Sequence, residues 1–222
     1  LDSVVVAALA LRFVDSLALA TVSFVDGERQ ASPAADAVAA KQSYRELQQL
    51  FPNKKNECCQ RVVHCTETEV GQARFRPLIH PKTTVMDVNI STALWFAAEK
   101  VPLRILLSGL GADELLGGYG RHKKKFERGG WEALGKELEL DQNRLYDRNL
   151  GRDDRVLTDT SHEVRFPFLD ESVVSFIKAQ PLEHLVDYSM DLGDKRVLRT
   201  MAERMGLRSA SSAVKRAVQF GS

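Results

Sequence analysis

The first half of the chain alternates between short apolar runs and stretches in which apolar residues recur at helical spacing. Residues 17–27 (LALATVSFVDG) and 104–109 (RILLSG) are short runs typical of buried parallel strands, which are covered on both faces. The interval 51–70 has no clear period, although QRVVHC within it is compatible with a strand. Helical spacing predicts helices over residues 3–13, with Asp2 or Ser3 as N-cap, and over 33–50 and 87–100.

From about Trp131 onward the pattern is helical only. Helical spacing covers residues 131–150, 172–180 and 194–207. A β/α alternation followed by helices predicts the α/β class, with a parallel sheet followed by a helical lobe. We therefore predict one domain over residues 1–222, made of an α/β part (1–125) and a mainly helical part (126–222).

The start of the sequence is unusual, since it opens on an apolar helix without a Met or a preceding strand. A buried helix of this kind normally follows a strand in an α/β unit. We therefore expect that the sequence begins partway through a domain and that the amino-terminal strand of the sheet is missing from it.

Length, charge and cysteine content narrow the classes of function. A chain of 222 residues with 44% hydrophobic and 27% charged residues is typical of a globular domain. A formal net charge of +1 gives no reason to expect nucleic acid or an acidic membrane as partner, and no apolar run approaches the ~20 residues of a membrane-spanning helix. Cys58, Cys59 and Cys65 match neither a disulfide framework nor a zinc pattern, so we expect a reducing, cytoplasmic compartment.

Two aspartates lie where a strand-to-helix turn is expected, Asp2 in LDS and Asp113 in SGLGADE. Parallel sheets bind ligands at such turns, and helix N-termini attract anions through their free N–H groups. A carboxylate there repels phosphate unless a divalent cation lies between them, and Mg²⁺ prefers one or two carboxylates plus phosphate oxygens. The alternative is that both aspartates are simple helix caps, each worth about 1 kcal/mol. The spacing alone leaves both interpretations open.

Four motifs of the sequence, which include the two just described, occur in the order found in one known family. They are LDS (1–3), SGLGADELLGGY (108–119), EVRFPFLD (163–170) and DKRVLR (194–199). Together they resemble the carboxyl-terminal (synthetase) domain of the asparagine synthetase family, and RNLGRDDRV and KRAVQFGS are most similar to its eukaryotic branch of asparagine synthetase domain-containing proteins. The resemblance covers residues 1–27 and 66–222 and is weak between them.

The resemblance implies a sheet of the pyrophosphate-loop ATPase type (adenine nucleotide alpha hydrolase-like) that binds ATP and Mg²⁺. It implies asparagine biosynthesis by AMP-forming amide synthesis from small-molecule substrates: aspartate or a related carboxylate, ATP, and ammonia from a glutaminase domain that we expect outside this sequence. By their places in the motifs, the implied catalytic residues are Lys195 and Asp113, and the implied metal ligands are Asp2 and Asp113. The implied ATP-binding residues are Asp2, Ser3, Ser23, Phe24, Ser108, Gly109 and Gly111.

One residue departs from the family pattern, because Leu110 stands where the family has a glutamate. Leucine can neither accept a proton nor pair with an ammonium group, so we expect the second half-reaction to be impaired or to use another acceptor. Three interpretations follow: an asparagine-type ligase, a degenerate relative that serves as a nucleotide-binding or protein-interaction module, and an amide- or lactam-forming synthetase of the same class. Two local alternatives also stay open. Lys195 could be a solvated helix lysine, and the run Arg121–Lys125 could either steer an anionic substrate or form a solvated face.

Overall fold

The described part of the chain folds into short sheets and many helices, which confirms the α/β class. The computed structural model describes residues 1–25, 35–64, 68, 73–74, 76–81 and 84–214. Its strands are β1 (Ser16–Val25), β2 (Lys55–His64), β3 (Ile105–Leu107) and β4 (Glu163–Arg165). Its α-helices are α1 (Asp2–Ala10), α2 (Ala35–Leu50), α3 (Val85–Ala98), α4 (Ala112–Leu115), α5 (Gly120–Leu145), α6 (Gly151–Thr158), α7 (Glu171–Lys178), α8 (Leu182–Leu185), α9 (Arg196–Arg204) and α10 (Arg208–Ser211). Arg76–Ile79 and Pro167–Leu169 form 3₁₀ turns, and Tyr146–Leu150 forms a π-helix.

Strand β1 pairs with β2 in parallel along its whole length. The parallel strand predicted over 17–27 is confirmed, except that its last two residues lie outside the described part. The strand compatible with QRVVHC is also confirmed, but it begins at Lys55 and so includes Cys58 and Cys59. Cys65 lies outside the described residues.

The apolar core of the β1–β2 sheet lies against α3. The register places Phe24 opposite Val63, which is fully buried. The ring of Phe24 meets Phe96 of α3 edge to face, with the ring centroids 6.4 Å apart. Other buried members of this cluster are Val22, Ile79, Val88, Ala93, Trp95 and Val156. Helix α3 is capped by Thr84, whose side chain accepts the N–H of Asp87.

The predicted helices are confirmed with shifted ends. The helix expected over 33–50 is α2, although its first two residues lie outside the described part. The helix expected from Trp131 extends back to Gly120 as α5, with non-helical backbone at Gly129 and Gly130. Gly130 has φ of 62°, a left-handed conformation that glycine adopts without steric cost, so the two glycines bend α5 where the predicted helix began. Among the described helices, none is both long enough and apolar enough to cross a membrane.

Two predictions about the strands are wrong. The run 104–109 was expected as a buried strand of one parallel sheet, but within the described residues β3 is bonded only to β4, in a separate two-stranded sheet. Ile105 and Leu107 are 45% and 39% exposed, because an apolar run is buried only where other elements cover it. Among the described residues, β3 pairs only with the three-residue strand β4. The prediction that only helices follow Trp131 is also wrong, because strand β4 lies in this part of the chain. With three residues, β4 is too short to show the alternation of apolar and polar residues that is typical of a strand.

The chain forms two compact units that are interleaved in sequence. Unit 1 comprises residues 1–6, 107–150 and the described residues from 165 onward, and unit 2 comprises the described residues of 7–106 together with 151–164. The predicted division at residue 125 separates two consecutive parts of the sequence, whereas these units are groups of residues in mutual contact. The units therefore do not test that division, which stays a prediction. Unit 1 contains the LDS, glycine-rich and DKRVLR motifs.

Candidate active site

A glycine-rich loop carries Asp113 in unit 1. The loop follows β3, and the Ser108 hydroxyl in it accepts the N–H of Leu110 at 3.2 Å. Gly111 is the N-cap of α4 with φ of 99°, and a Cβ there would be strained and would collide with Leu169. Asp113 therefore lies in the first turn of α4, and its interpretation as a helix cap is wrong.

The same loop approaches the start of α1 closely. A Cβ on Gly109 would lie 2.9 Å from Asp2 Cβ and 3.0 Å from the Ser3 nitrogen. These distances are below the roughly 3.5–4.0 Å of a normal carbon contact, so only glycine permits the approach. Helix α1 begins at Asp2, so both Asp2 and Ser3 lie in its first turn, and the prediction that one of them precedes the helix as N-cap is wrong.

Asp2, Asp113 and Lys195 converge on one point. The Nζ atom of Lys195 lies 2.9 and 2.8 Å from the two carboxylate oxygens of Asp2 and 2.9 Å from Oδ1 of Asp113. Both carboxylates therefore share one cation, although 193 residues separate Asp2 from Lys195 in the chain. Lys195 is only 2% exposed, so its interpretation as a solvated helix lysine is wrong. The structure thus brings together the charged residues that the family resemblance selected.

The backbone holds Lys195 in an unusual conformation at the N-cap of α9. Its φ of 50° and ψ of 37° are left-handed, which costs a non-glycine residue of order 1–3 kcal/mol and is most often found at functional sites. Its N–H donates to the carbonyl of Leu116 at 3.1 Å, and its carbonyl accepts the N–H of Arg199 at 3.0 Å. The turn before it requires Gly193, because a Cβ there would collide with the carbonyl of Asp187. The lysine is therefore anchored at its backbone beside the helix that carries Asp113.

Burial and charge act on Lys195 in opposite directions. Burial alone would lower the pKa of a lysine, because the charged form loses its hydration. The carboxylates of Asp113 and Asp2 outweigh burial, so the pKa of Lys195 is raised above its ordinary value of 10.5. Lys195 is therefore a cation at neutral pH, and the two aspartate side chains share it.

A second network holds α4 in place, as expected of Glu114 from its position in the turn. Glu114 is 2% exposed, and its Oε1 accepts the Tyr119 hydroxyl at 2.6 Å and the Asn149 amide at 2.8 Å. Burial, together with the neighbouring charge of Glu114, raises the pKa of Tyr119, so the phenol stays a hydrogen-bond donor. The glycine-rich motif pointed to the loop, but nothing pointed to Asn149, which lies in the π-helix, 35 residues after Glu114.

The basic run after Tyr119 is not uniformly solvated. His122 is fully buried and bonds through Nε2 to Asp141 at 2.8 Å, while its Nδ1 accepts the N–H of Tyr119. Arg121 pairs with the same aspartate and lies over the Tyr119 ring. Burial alone would raise the pKa of Asp141, but the bonds from His122 and Arg121 lower it below its ordinary value. The solvated-face interpretation is therefore wrong for the buried His122, whereas Arg121 and Lys123–Lys125 are exposed, although Arg121 and Lys125 also form ion pairs.

Ser23 and Phe24 belong to unit 2. Ser23 is 5% exposed, and its hydroxyl has no hydrogen-bond partner among the described residues. Such a buried, unsatisfied hydroxyl is uncommon in folded proteins. Phe24 packs in the core described above, and the ATP-binding role implied for both residues stays a prediction.

The donor set of Asp2 and Asp113 suits one type of metal ion. Within the described residues, no cluster of three or more His, Cys, Asp or Glu side chains forms a ready-made metal site. The two carboxylates nevertheless converge on a point that already holds a cation, the ammonium of Lys195. One or two carboxylates plus phosphate oxygens are the usual ligands of Mg²⁺ with nucleotides. The residues therefore fit a Mg²⁺ ion that arrives with a nucleotide.

The fold and these motifs together define the class to which the chain belongs. The family model described as asparagine synthase matches residues 1–131 and 125–219. The chain belongs to the asparagine synthase family, and the predicted membership is confirmed.

Within this family, the chain is similar to asparagine synthetase domain-containing protein 1 of several animals. It is 40% identical to the protein of Gallus gallus and 36% identical to that of Homo sapiens, each over 84% of this chain and 32% of the relative. It is also 41% identical to a putative glutamine-hydrolysing asparagine synthetase of Methanocaldococcus jannaschii, over 45% of this chain and 19% of the relative. The chain spans about a third of the length of the animal relatives it matches.

Proposed function

We propose that this chain carries out ATP-dependent, AMP-forming amide synthesis of the asparagine synthetase type. In the first step a carboxylate oxygen of the acid substrate attacks the α-phosphorus of ATP, and the bond to the β-phosphate breaks to release pyrophosphate. In the second step ammonia attacks the acyl carbon, AMP leaves, and one proton is released. The observation that carries the proposal is the buried ammonium of Lys195 between Asp2 and Asp113.

Each of the three charged residues has a role in this proposal. The ammonium of Lys195 stabilises the negative charge that develops on the phosphates, which is worth most in a buried site. Asp2 and Asp113 would hold Mg²⁺, which when bound neutralises the leaving pyrophosphate. Ser3 and Gly109 meet at the closest approach of the loop to α1, which supports a phosphate-binding role for this part of the chain.

The remaining parts of the proposal concern the fold type and the whole protein. A sheet of the pyrophosphate-loop ATPase type is supported by the parallel β1–β2 pair and by the strand, loop and helix order around Asp113. The same proposal includes asparagine biosynthesis from aspartate, with ammonia supplied by glutamine, and a cytoplasmic location. The M. jannaschii relative, whose name includes glutamine hydrolysis, supports the source of ammonia.

A second candidate function is binding of a nucleotide without turnover. Leu110 favours it, because this half-buried leucine lies in the loop between Ser108 and Asp113, where the family has a glutamate. An apolar side chain can support neither proton transfer nor binding of an incoming amine. A relative that binds ATP and fails in the second step would be expected to carry such a substitution in this loop.

The test is the release of pyrophosphate and AMP by the full-length protein supplied with ATP, Mg²⁺, ammonium and aspartate. Release that depends on aspartate, and that is lost in Lys195→Met but kept in the exposed control Lys178→Met, supports the ligase. ATP binding without pyrophosphate release for any acid supports the second candidate. Release only with another carboxylic acid indicates an amide- or lactam-forming synthetase of the same class.

The variant Leu110→Glu tests the substitution in the loop. If the leucine is what limits the reaction, this variant should form more amide per pyrophosphate released than the wild type. An unchanged ratio would show that the family glutamate is not what the chain lacks.

A further inference from the structure

The ammonium of Lys195 has no hydrogen-bond donor left for a phosphate. A lysine ammonium carries three N–H donors. In this structure its partners are both oxygens of Asp2 and one oxygen of Asp113, at 2.8 to 2.9 Å. The same group cannot hold these bonds and also bind the phosphates of a nucleotide. The arrangement seen here and the arrangement needed for phosphate binding are therefore two different states of one side chain.

We propose that Lys195 and a divalent cation exchange places: in the ligand-free protein the ammonium fills the space between Asp2 and Asp113, and a divalent cation that enters this space releases the lysine toward the phosphates. The destination of the lysine rests on the proposed function. The exchange itself rests on the three side chains and can be measured without any reaction.

Electrostatics favours the exchange in the presence of a divalent ion. The ammonium brings one positive charge to the two aspartate side chains, whereas a divalent cation brings two. Once such a cation is present, it repels the nearby ammonium, because like charges this close repel each other at the effective dielectric of a protein. A multiply charged phosphate is then the nearest favourable partner for the displaced lysine.

Hydrogen bonds fix the backbone of Lys195 and leave its side chain free to rotate. Its N–H is bonded to Leu116 and its carbonyl to Arg199, so the main chain is held on both sides of the residue. The four-carbon stem of lysine is flexible, while the ammonium is a compact point charge. The exchange therefore needs rotation about side-chain bonds and no movement of α9.

The experiment measures Mn²⁺ binding to the full chain without nucleotide, by electron paramagnetic resonance, in wild type and Lys195→Met. Methionine removes the competing ammonium and keeps similar bulk, so we expect Mn²⁺ to bind at least about tenfold more tightly than to wild type. The control Lys178→Met removes the same charge from an exposed place in unit 1 and should change the affinity little. Adding Asp2→Asn to Lys195→Met should abolish the gain. Affinity of Lys195→Met no greater than that of wild type or of the control would overturn the exchange.

A measurement on the wild type covers the case in which Lys195→Met does not fold. Acetylation of individual lysines by acetic anhydride, read by mass spectrometry, should increase at Lys195 when Mn²⁺ or Mg²⁺ is added and stay constant at Lys178. Equal labelling of Lys195 with and without the cation would refute the exchange. Failure of the proposed function is distinguishable, because it appears as absent pyrophosphate release and leaves both of these readouts intact.

Discussion

The variant Gly118→Ala tests whether the placement of the Asp113 carboxylate matters for the site. A Cβ at this residue would lie 2.9 Å from Cγ and 3.0 Å from Cα of Asp113, and closer still to Oδ1. Normal carbon contacts are roughly 3.5–4.0 Å, so Asp113 must shift by roughly 0.5–1 Å. Oδ1 is the atom that accepts the Lys195 ammonium at 2.9 Å, so this bond is the first to be lost.

The size of the effect follows from that bond. A hydrogen bond to a charged group is worth about 1.5–3 kcal/mol, which for a chain of this size lowers the melting temperature by roughly 3–12 °C. Displacement of a reactive group by about 1 Å can cost on the order of a hundredfold in rate, so we also expect the rate of pyrophosphate release to fall by roughly that factor.

The matched control is Gly120→Ala, two residues further along the chain. A Cβ on Gly120 has no neighbour within 4 Å, and the residue is the first of α5, where alanine is favourable. Thermal unfolding by circular dichroism and Mn²⁺ binding are measured for both variants. If Gly118→Ala has the same melting temperature and Mn²⁺ affinity as Gly120→Ala, the carboxylate of Asp113 is not held where the structure has it.

Three further predictions concern the groups that support the fold. The buried guanidinium of Arg152 donates hydrogen bonds to two aspartates in unit 2. Arg152→Met should therefore lower the free energy of unfolding, measured by urea titration, by about 3–5 kcal/mol. The control Arg148→Met, at an exposed residue, should lower it by less than about 0.5 kcal/mol. Tyr119→Phe removes a hydrogen-bond donor from the buried carboxylate of Glu114 and should lower the free energy of unfolding by about 1–3 kcal/mol. The control Tyr146→Phe, at a residue that is 74% exposed, should change it very little. Equal effects of the two variants would refute the network. The pKa of Asp141 is depressed in the folded state, so its contribution to stability is present above its ordinary value of 3.8 and lost as the pH falls through the lower folded pKa. The difference in unfolding free energy between wild type and Asp141→Asn should therefore shrink as the pH falls from 6 to 3, and a constant difference would contradict this origin.

Local patterns predicted most helices and strands of the chain, because the spacing of apolar residues within a segment indicates which of the two it forms. Helices α2 and α3 and the parallel strand β1 are examples. The errors fall where neighbours decide the outcome. β3 is as apolar as a buried strand and yet is exposed, and β4 is a strand only because it pairs with β3.

The candidate site shows the same limit. Four motifs were enough to select Asp2, Asp113 and Lys195, but no local pattern could indicate that Lys195 is buried and bonds both aspartates. Asn149 was missed because its partner Glu114 is distant in sequence, and a single asparagine in a helical stretch has no signal of its own. The left-handed backbone of Lys195 was also invisible, since lysine is not a residue type that favours it.

The bond between Lys195 and Asp2 has a consequence for how the molecule is made. It joins residues 193 positions apart in the sequence, and closing so long a loop costs more entropy than closing a short one. On the ribosome both aspartates emerge well before the lysine that neutralises them. Until the lysine is present, the two carboxylates repel each other. The nascent polypeptide therefore cannot form this cluster before residue 195 has been translated.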